Sequence, residues 1–409
     1  MRIALLHYSV PPVIGGVEST IAAHARLFAA RHDTVKIIAG RGAPFDAPCA
    51  FHRVPEMDSR HPRVEIVQRE LNAGNVSDAF HALTQELTDA LARLLQDCDV
   101  CLAHNIATLH KNLALSAALH HLAETRRVRL LAWSHDFAWD DPVYAKELHD
   151  GAPWDLLRTA WKHTQYVVVS EARRQELARL LGLQPNAIVV APPGVNVMEF
   201  LGVTDRVAQW VAQFHWLDAA PLLLLPARVT RRKNIERALE IVAALRDAGM
   251  QPQLLVMGPL GPHNPKNRAY LEELKTRAGA LNISNAVHWL QEYGVVDDAM
   301  RRDLYALADA LLLPSAREGF GIPILEAGLA RLPIFCAAIP PFRETAGENA
   351  HYLKDDAVPA QIASEMRQYF LQDERYRLKQ RVLQHHTWEK IFASRIVPLL
   401  QGMSALTDN

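Results

Sequence analysis

Two short stretches of this 409-residue chain carry residues whose types and spacing suit work on phosphates and on sugar hydroxyls. The first is Ala227-Arg228-Val229-Thr230-Arg231-Arg232-Lys233-Asn234, with four cations inside six residues. Arginine offers phosphate oxygens a planar fork and lysine a point charge, the pair suited to stabilising a departing diphosphate. The competing reading is a solvated charge run capped by Asn234. The second stretch is Leu311-Leu312-Leu313-Pro314-Ser315-Ala316-Arg317-Glu318-Gly319-Phe320-Gly321-Ile322-Pro323-Ile324-Leu325-Glu326, which passes from a strand through a glycine-bearing loop into a helix. Gly319 and Gly321 allow close backbone approach, and Pro323 suits a first helical turn because its missing N–H would be unpaired there anyway. The loop's free N–H groups and the positive helix end together make a phosphate seat. Glu318 and Glu326 flank that seat. Carboxylates are electrostatically wrong for phosphate and right for sugar hydroxyls, and a nucleotide sugar offers both groups.

Both stretches need a scaffold that ends a strand and starts a helix in the right place. Short apolar runs alternate with longer helical patterns from the first residue, the signature of parallel sheets covered by helices. In the first set, strands are expected at Ile3–His7, Val35–Ile38, Val100–Ala103, Arg129–Trp133, Tyr166–Val169 and Ile188–Val190. Helices are expected at Val17–Ala30 and Glu171–Leu181, the latter capped by Ser170 and ended by Gly182. Ala191-Pro192-Pro193-Gly194-Val195-Asn196 concentrates the strongest breakers, and the hinge is placed there. A second set follows, with strands at Leu222–Leu225, Gln253–Met257, Ala286–Trp289, Ala310–Leu313 and Ile334–Ala337. The helix after the first of these puts Ile235, Ala238, Leu239, Val242 and Leu245 on one face and stops at Gly249. The expected fold is α/β, two Rossmann-like doubly wound domains facing each other across a cleft, the first over residues 1–193. In such sheets ligands bind beyond the carboxyl ends of the strands, where both stretches fall.

Composition narrows the class. Lys plus Arg number 44 against 45 Asp plus Glu, so no global positive field exists to hold nucleic-acid phosphates, and nucleic acid is not an expected partner. A hydrophobic content of 49% with 22% charged residues excludes a disordered chain. Cys49, Cys98, Cys101 and Cys336 are too few for a disulfide framework, and the Cys98-x-x-Cys101 pair has no second pair to complete a zinc site. Arg2-Ile3-Ala4-Leu5-Leu6 is too short for a signal-peptide core and no apolar run reaches membrane-spanning length, so a cytoplasmic enzyme is expected. His7, His104 and His135 all fall at expected strand ends, as metal ligands or as polar residues lining a cleft; the metal option is the weaker, because no H-E-x-x-H spacing accompanies them. Asp136 either orients His135 or caps a helix. No G-x-G-x-x-G follows the first strand, which argues against a nicotinamide dehydrogenase.

The motif Pro314-Ser315-x-x-Glu318-Gly319-Phe320-Gly321-x-Pro323-x-x-Glu326-Ala327, with Arg228-x4-Lys233 upstream, resembles the signature of retaining glycosyltransferases of the GT-B fold, the family-4-like group. Pro11-Pro12-x-x-Gly15-Gly16-Val17-Glu18 resembles the family's glycine-rich first loop, Ala191 to Phe200 its entry into the second domain, and Thr387-Trp388-Glu389-Lys390 the start of its last helix. The resemblance implies a donor domain over 194–376 and C-terminal helices over 377–409 that cross back onto the first domain. It implies that Arg228 and Lys233 bind and stabilise the diphosphate, Glu318 contacts hydroxyls of the transferred sugar and Glu326 the ribose. Backbone groups of Phe320, Gly321 and Ile322 would hold phosphate and sugar oxygens. Gly15 and Gly16 would let the first loop approach the donor phosphates, His135 would lie near the donor sugar, and Glu344 matches a further family glutamate. Gly328, Arg331 and the longer loop Gly258 to Ala269 depart from the common pattern and leave the donor base open between guanosine and uridine.

The expected activity is therefore metal-independent, retaining transfer of a hexose from a nucleotide-diphosphate sugar to a hydroxyl acceptor (a glycan, a lipid-linked acceptor or a small molecule), with no cofactor beyond that co-substrate. The rivals are a nucleotide-sugar epimerase or hydrolase on the same fold and a non-catalytic sugar-nucleotide binding module. Arg126-Arg127-Val128-Arg129 is read as a solvated turn in preference to a peripheral contact with the inner face of a membrane.

Overall fold

The computed structural model describes every residue except 126–127, 261–265, 355 and 405–409, and the side chains of 402–404 are likewise left aside. The chain divides into two compact units: Met1–Gly194 with Trp388–Asn409, and Val195–Thr387. The first boundary falls inside the Pro-Pro-Gly segment that breaks both helix and strand. The return comes later than the expected residue 377, because the helix Glu374–His385 stays with the second unit, where Lys379 reaches Asp309 at 2.7 Å and the carbonyls of Leu307 and Ala308.

The first unit is built on a seven-stranded parallel sheet of β1 (Arg2–Ser9), β2 (Thr34–Arg41), β3 (Ala50–Arg53), β4 (Val100–His104), β5 (Leu130–Ser134), β6 (Thr164–Val168) and β7 (Ile188–Val190). Its order is β3-β2-β1-β4-β5-β6-β7. Strands β4 and β5 are buried along their whole length, which explains why they read as unbroken apolar runs and not as alternating ones. One face is covered by helices such as Asp78–Leu95 and Leu113–Glu124, and the other by Gly16–Ala30 and the returning C-terminal segment. Ile391, Phe392, Ile396 and Leu400 of that segment pack with Ile3, Ile21 and Phe28, and each such buried side chain contributes about 1.5–3 kcal/mol.

The second unit carries a six-stranded parallel sheet of β8 (Leu222–Leu225), β9 (Gln253–Val256), β10 (Val287–Trp289), β11 (Ala310–Leu313), β12 (Ile334–Ala337) and β13 (His351–Leu353). The order is β10-β9-β8-β11-β12-β13, with Leu223 opposite Ala310 and Leu224 opposite Leu311 where β8 meets β11. Each sheet therefore reverses its strand order once, beside its first strand: between β1 and β4, and between β8 and β11. Those are the switch points at which doubly wound folds open a crevice for ligands.

Expected and observed strands agree to within three residues at each end, apart from two edge strands that were not expected. β3 (Ala50–Arg53) and β13 (His351–Leu353) are short, partly exposed and carry histidine, so no apolar run announced them. Ser170 caps its helix by accepting from the Arg173 N–H, and Gly182 ends it at φ 65°. Asn234, the cap in the competing reading of the cation run, takes the left-handed conformation, φ 51°, and its side chain makes no cap. No helix among the described residues is long and apolar enough to cross a membrane. All four cysteines are free, with Cys101 buried inside β4. Arg126 and Arg127, and residues 261–265 of the longer loop, lie outside the described residues.

Candidate functional site

The two stretches follow β8 and β11, the neighbouring strands at the second sheet's switch point, so sheet topology alone brings them together. Their backbones are then stitched: Ala316 and Arg317 donate their N–H groups to the Arg232 carbonyl at 2.9 and 3.4 Å. Side chains complete the junction. Lys233 Nζ donates to Glu318 Oε1, and Arg232 Nη1 stands 3.3 Å from Glu318 Oε2. Lys233 and Glu318 are about nine-tenths buried, whereas Arg232 is half exposed.

The four cations of the first stretch thus divide by partner. Arg231 turns to Glu273 at 2.6 Å and lies over the Tyr270 ring at 4.7 Å. Arg232 and Lys233 converge on Glu318. Arg228 is exposed and has no ion-pair partner among the described residues. Its backbone position is set by Gly258 after β9, where a Cβ would stand 2.2 Å from the Ala227 carbonyl oxygen and 2.5 Å from the Arg228 nitrogen. Only glycine permits that approach.

In the second stretch, Gly321 precedes the helix Ile322–Leu329 at φ 108°, a left-handed geometry that favours glycine. Among the described residues, the N–H groups of Glu318, Gly319, Phe320 and Gly321 find no acceptor, so unpaired donors and a helix N-terminus lie at the same place. The Phe320 carbonyl is engaged by the Thr345 hydroxyl at 2.7 Å, and the side chains of Phe320 and Ile322 are exposed. Glu326, one turn into the helix, has both oxygens occupied: Tyr305 donates to Oε2 at 2.6 Å and Arg301 Nη1 lies 3.3 Å from Oε1. Burial, then the bond to Glu326, keeps the Tyr305 hydroxyl protonated far above the usual phenol range. Glu344 sits exposed on Pro340–Ala346, after β12.

In the first unit, described by itself, the switch point between β1 and β4 collects Gly15, Gly16, His7, His104 and His135. Gly15 precedes the helix Gly16–Ala30, and open space stands over Gly16. Glu18, in the same first turn, accepts from the Ser9 hydroxyl at 2.7 Å. His7 Nδ1 lies 2.9 Å from the His104 carbonyl oxygen, and His104 Nδ1 lies 3.4 Å from His135 Nε2. Burial is the first cause that lowers His7 and His135 to about 4, with Asp136 and Glu18 opposing it at His135. Both are neutral imidazoles at pH 7. Asp136 caps no helix; it stands 3.6 Å from Arg173. Among the described residues no group of three His, Cys, Asp or Glu side chains is placed to hold a metal ion.

Several positioning residues escaped the sequence. Asn105, at φ 60°, accepts the backbone N–H of His135 at 2.7 Å and of Asp136 at 3.3 Å. An asparagine just beyond an apolar strand end, able to take the left-handed conformation, was the available signal. Arg301 and Tyr305 gave none, because their partner lies in a different element. Gly258 stood in a loop read only as long.

Comparison with known proteins adds two family matches: "Glycosyltransferase Family 4" over residues 14–199 and "Glycosyl transferases group 1" over residues 209–384. Between them they take in most of the chain. Mannosylglucosylglycerate synthase of Petrotoga mobilis is 24% identical over 276 residues, 61% of this chain and 62% of that protein. The protein of the same name from Thermotoga maritima is 25% identical over 368 residues, 82% of this chain and 80% of that protein. The serotype-specific mannosyltransferase WbdA of Escherichia coli is 28% identical over 196 residues, 39% of this chain and 23% of the relative. The chain thus spans less than two thirds of the length of the first and the last of these.

Proposed function

This chain belongs to the GT-B, family-4-like glycosyltransferases, and from that premise we propose that it transfers a hexose from a nucleotide-diphosphate sugar to a hydroxyl acceptor, with retention at the anomeric carbon and without a metal ion. The observation that carries this reading is the junction at the second sheet's switch point. There Arg232, Lys233 and Glu318 meet beside a loop of unpaired N–H groups at a helix N-terminus, and Arg228 stands exposed on the same strand-to-helix turn.

Breaking the anomeric bond leaves negative charge on the diphosphate and an oxocarbenium-like sugar. Fixed cations lower the barrier where that charge develops, and they do so without reorganising during the reaction. Arg228 and Lys233 have this role. The N–H groups of Gly319, Phe320 and Gly321 seat phosphate oxygens. Glu318, held by Lys233, accepts from hydroxyls of the hexose, and Glu326, held by Tyr305 and Arg301, accepts from the ribose. His135, neutral at pH 7, offers the donor sugar a hydrogen-bonding group without charge. The open space over Gly16 suits the approach of a phosphate, whereas the Glu18 carboxylate fills the space beside Gly15. No strong protein nucleophile is identifiable from the sequence, which favours front-face attack by the acceptor over a covalent sugar–enzyme intermediate.

Thermal unfolding with a panel of nucleotide sugars tests the donor. A true donor at about a hundredfold above its dissociation constant stabilises by about 2.7 kcal/mol. The names of the relatives put mannosyl donors first in that panel. With donor and acceptor in hand, NMR of the first-formed linkage should show retention, unchanged after exhaustive chelation. An inverted linkage would remove the mechanism, and loss of transfer with chelator would remove the metal-independent step. Rapid epimerisation or complete hydrolysis of donor alone would replace transfer as the activity.

A further inference from the structure

A second charged region lies at the other end of the same sheet. Ala220 and Gln251 stand just before β8 and β9, at the amino ends of the strands, and they border a groove of about 640 Å³. The motif loops leave the carboxyl ends, so this groove is no part of the donor site. Its floor is apolar, with Met250 and Phe370, and its walls carry Arg367, Arg377, Arg381 and His385. Among the described residues no acidic one lines it.

Charge pairing on the two bordering helices, Pro359–Gln372 and Glu374–His385, separates these cations from their neighbours. Arg375 is 3.7 Å from Asp373 and Lys379 is 2.7 Å from Asp309, so both are neutralised locally. Arg367, Arg377 and Arg381 are exposed and have no ion-pair partner among the described residues. Arg377, Arg381 and His385 follow one another at i, i+4 spacing and so share a helix face, about 6 Å apart along the axis. Leu378 is 63% exposed beside them and Leu371 is 54% exposed on the facing helix.

We propose that this groove and its leucine-flanked rim dock the protein on an anionic phospholipid surface. Unpaired guanidinium groups match lipid phosphates, and the exposed leucines match the acyl boundary just beneath them. A small soluble phosphate would call for donors converging on one point. Here the arginines are spread over two helices with aliphatic side chains between them, which suits a surface. The inference is independent of the transfer chemistry, because none of these residues belongs to the donor site.

The test is sedimentation of the full chain with vesicles of phosphatidylcholine alone and of phosphatidylcholine with phosphatidylglycerol, at low and high salt. Binding is expected only to the anionic vesicles and should weaken with salt. Each basic side chain near such a surface strengthens binding about fivefold, so R367Q/R377Q/R381Q should lower the partition coefficient about a hundredfold. L371S/L378S should weaken binding at unchanged charge. Both variants should keep the wild-type unfolding temperature and donor affinity. Equal binding to the two vesicle types, full binding by the triple variant, or no binding by the wild type would overturn the proposal. Saturable binding of inorganic pyrophosphate at this groove, lost in the triple variant and without vesicle binding, would also overturn it and assign the groove to a soluble phosphate.

Discussion

Lys233→Met separates what the Lys233–Glu318 contact does for the fold from what it does for chemistry. Both side chains are about nine-tenths buried, so removing the ammonium leaves a buried carboxylate. Breaking such a pair from one side typically costs about 3–5 kcal/mol. Arg232 Nη1 remains 3.3 Å from the other carboxylate oxygen on a half-exposed side chain, which lowers the expected loss to about 2–3 kcal/mol. Glu318→Gln should then cost less by itself, and the double variant K233M/E318Q should recover part of the loss, with a coupling of about 1–2 kcal/mol by urea unfolding. Turnover should behave differently. Lys233→Met removes a cation that opposes charge developing on the diphosphate, a loss of about 3 kcal/mol or roughly a hundredfold in kcat, and the double variant should not restore it. Arg228→Ala is the control: exposed and without an ion-pair partner among the described residues, it should leave stability unchanged and lower kcat more than donor affinity. Additive stability effects, or recovery of kcat in the double variant, would refute the division of labour.

Other perturbations probe the rest of the site. Glu326→Ala should weaken nucleoside diphosphate and intact donor alike, whereas Glu318→Ala should spare the diphosphate and impair discrimination between hexose epimers; calorimetry with both ligands decides, and equal loss of diphosphate affinity in the two variants would defeat it. Tyr305→Phe, which removes the 2.6 Å bond to Glu326, should lower diphosphate affinity roughly fivefold, about 1 kcal/mol, without changing hexose preference. Gly258→Ala places a methyl 2.2 Å from the Ala227 carbonyl oxygen and should destabilise by about 1–3 kcal/mol while lowering kcat through Arg228, read by thermal unfolding and turnover. In the first unit, burial holds His7 and His135 at about 4 and His24 at about 3, so between those values and about 6.5 the unfolded chain binds more protons than the folded one. Stability should therefore be full above about pH 6.5 and fall as pH drops toward 4. His24, with both ring nitrogens buried and unpartnered among the described residues, should raise stability by about 1 kcal/mol and flatten that fall when changed to Phe, checked by unfolding at a series of pH values.

Much of the fold was legible because its signals are local. The run Leu222-Leu223-Leu224-Leu225, bounded by Pro221 and Pro226, is too short for a helix and reads as a buried strand, and Ser170 and Gly182 act on groups within four residues of themselves. The glycine-opened helix start was legible for the same reason, since Gly321, Pro323 and the helix they open are contiguous. Edge strands β3 and β13 were not, because exposure removes the hydrophobic signal that marks the strands between them. The division of the Arg228–Lys233 cations was equally hidden. Arg231 and Arg232 are neighbours of one type, and what separates them is Glu273 on one side and Glu318 on the other.

The sequence by itself determined that this is a two-unit α/β chain, that its breakpoint lies near Gly194, and that an Arg-Lys pair and two glutamates stand at strand-to-helix turns. Those properties depend on periodicity, breakers and caps, which act over a few residues. Tertiary structure alone decided that β8 and β11 are neighbours, and with that which charges meet. Lys233 finds Glu318 across 85 positions of sequence, Tyr305 finds Glu326 across 21, and Asn105 finds the His135 N–H across 30. Each pairing follows from strand order, which is set when two apolar sheet faces are buried at once, and local spacing carries no record of that choice.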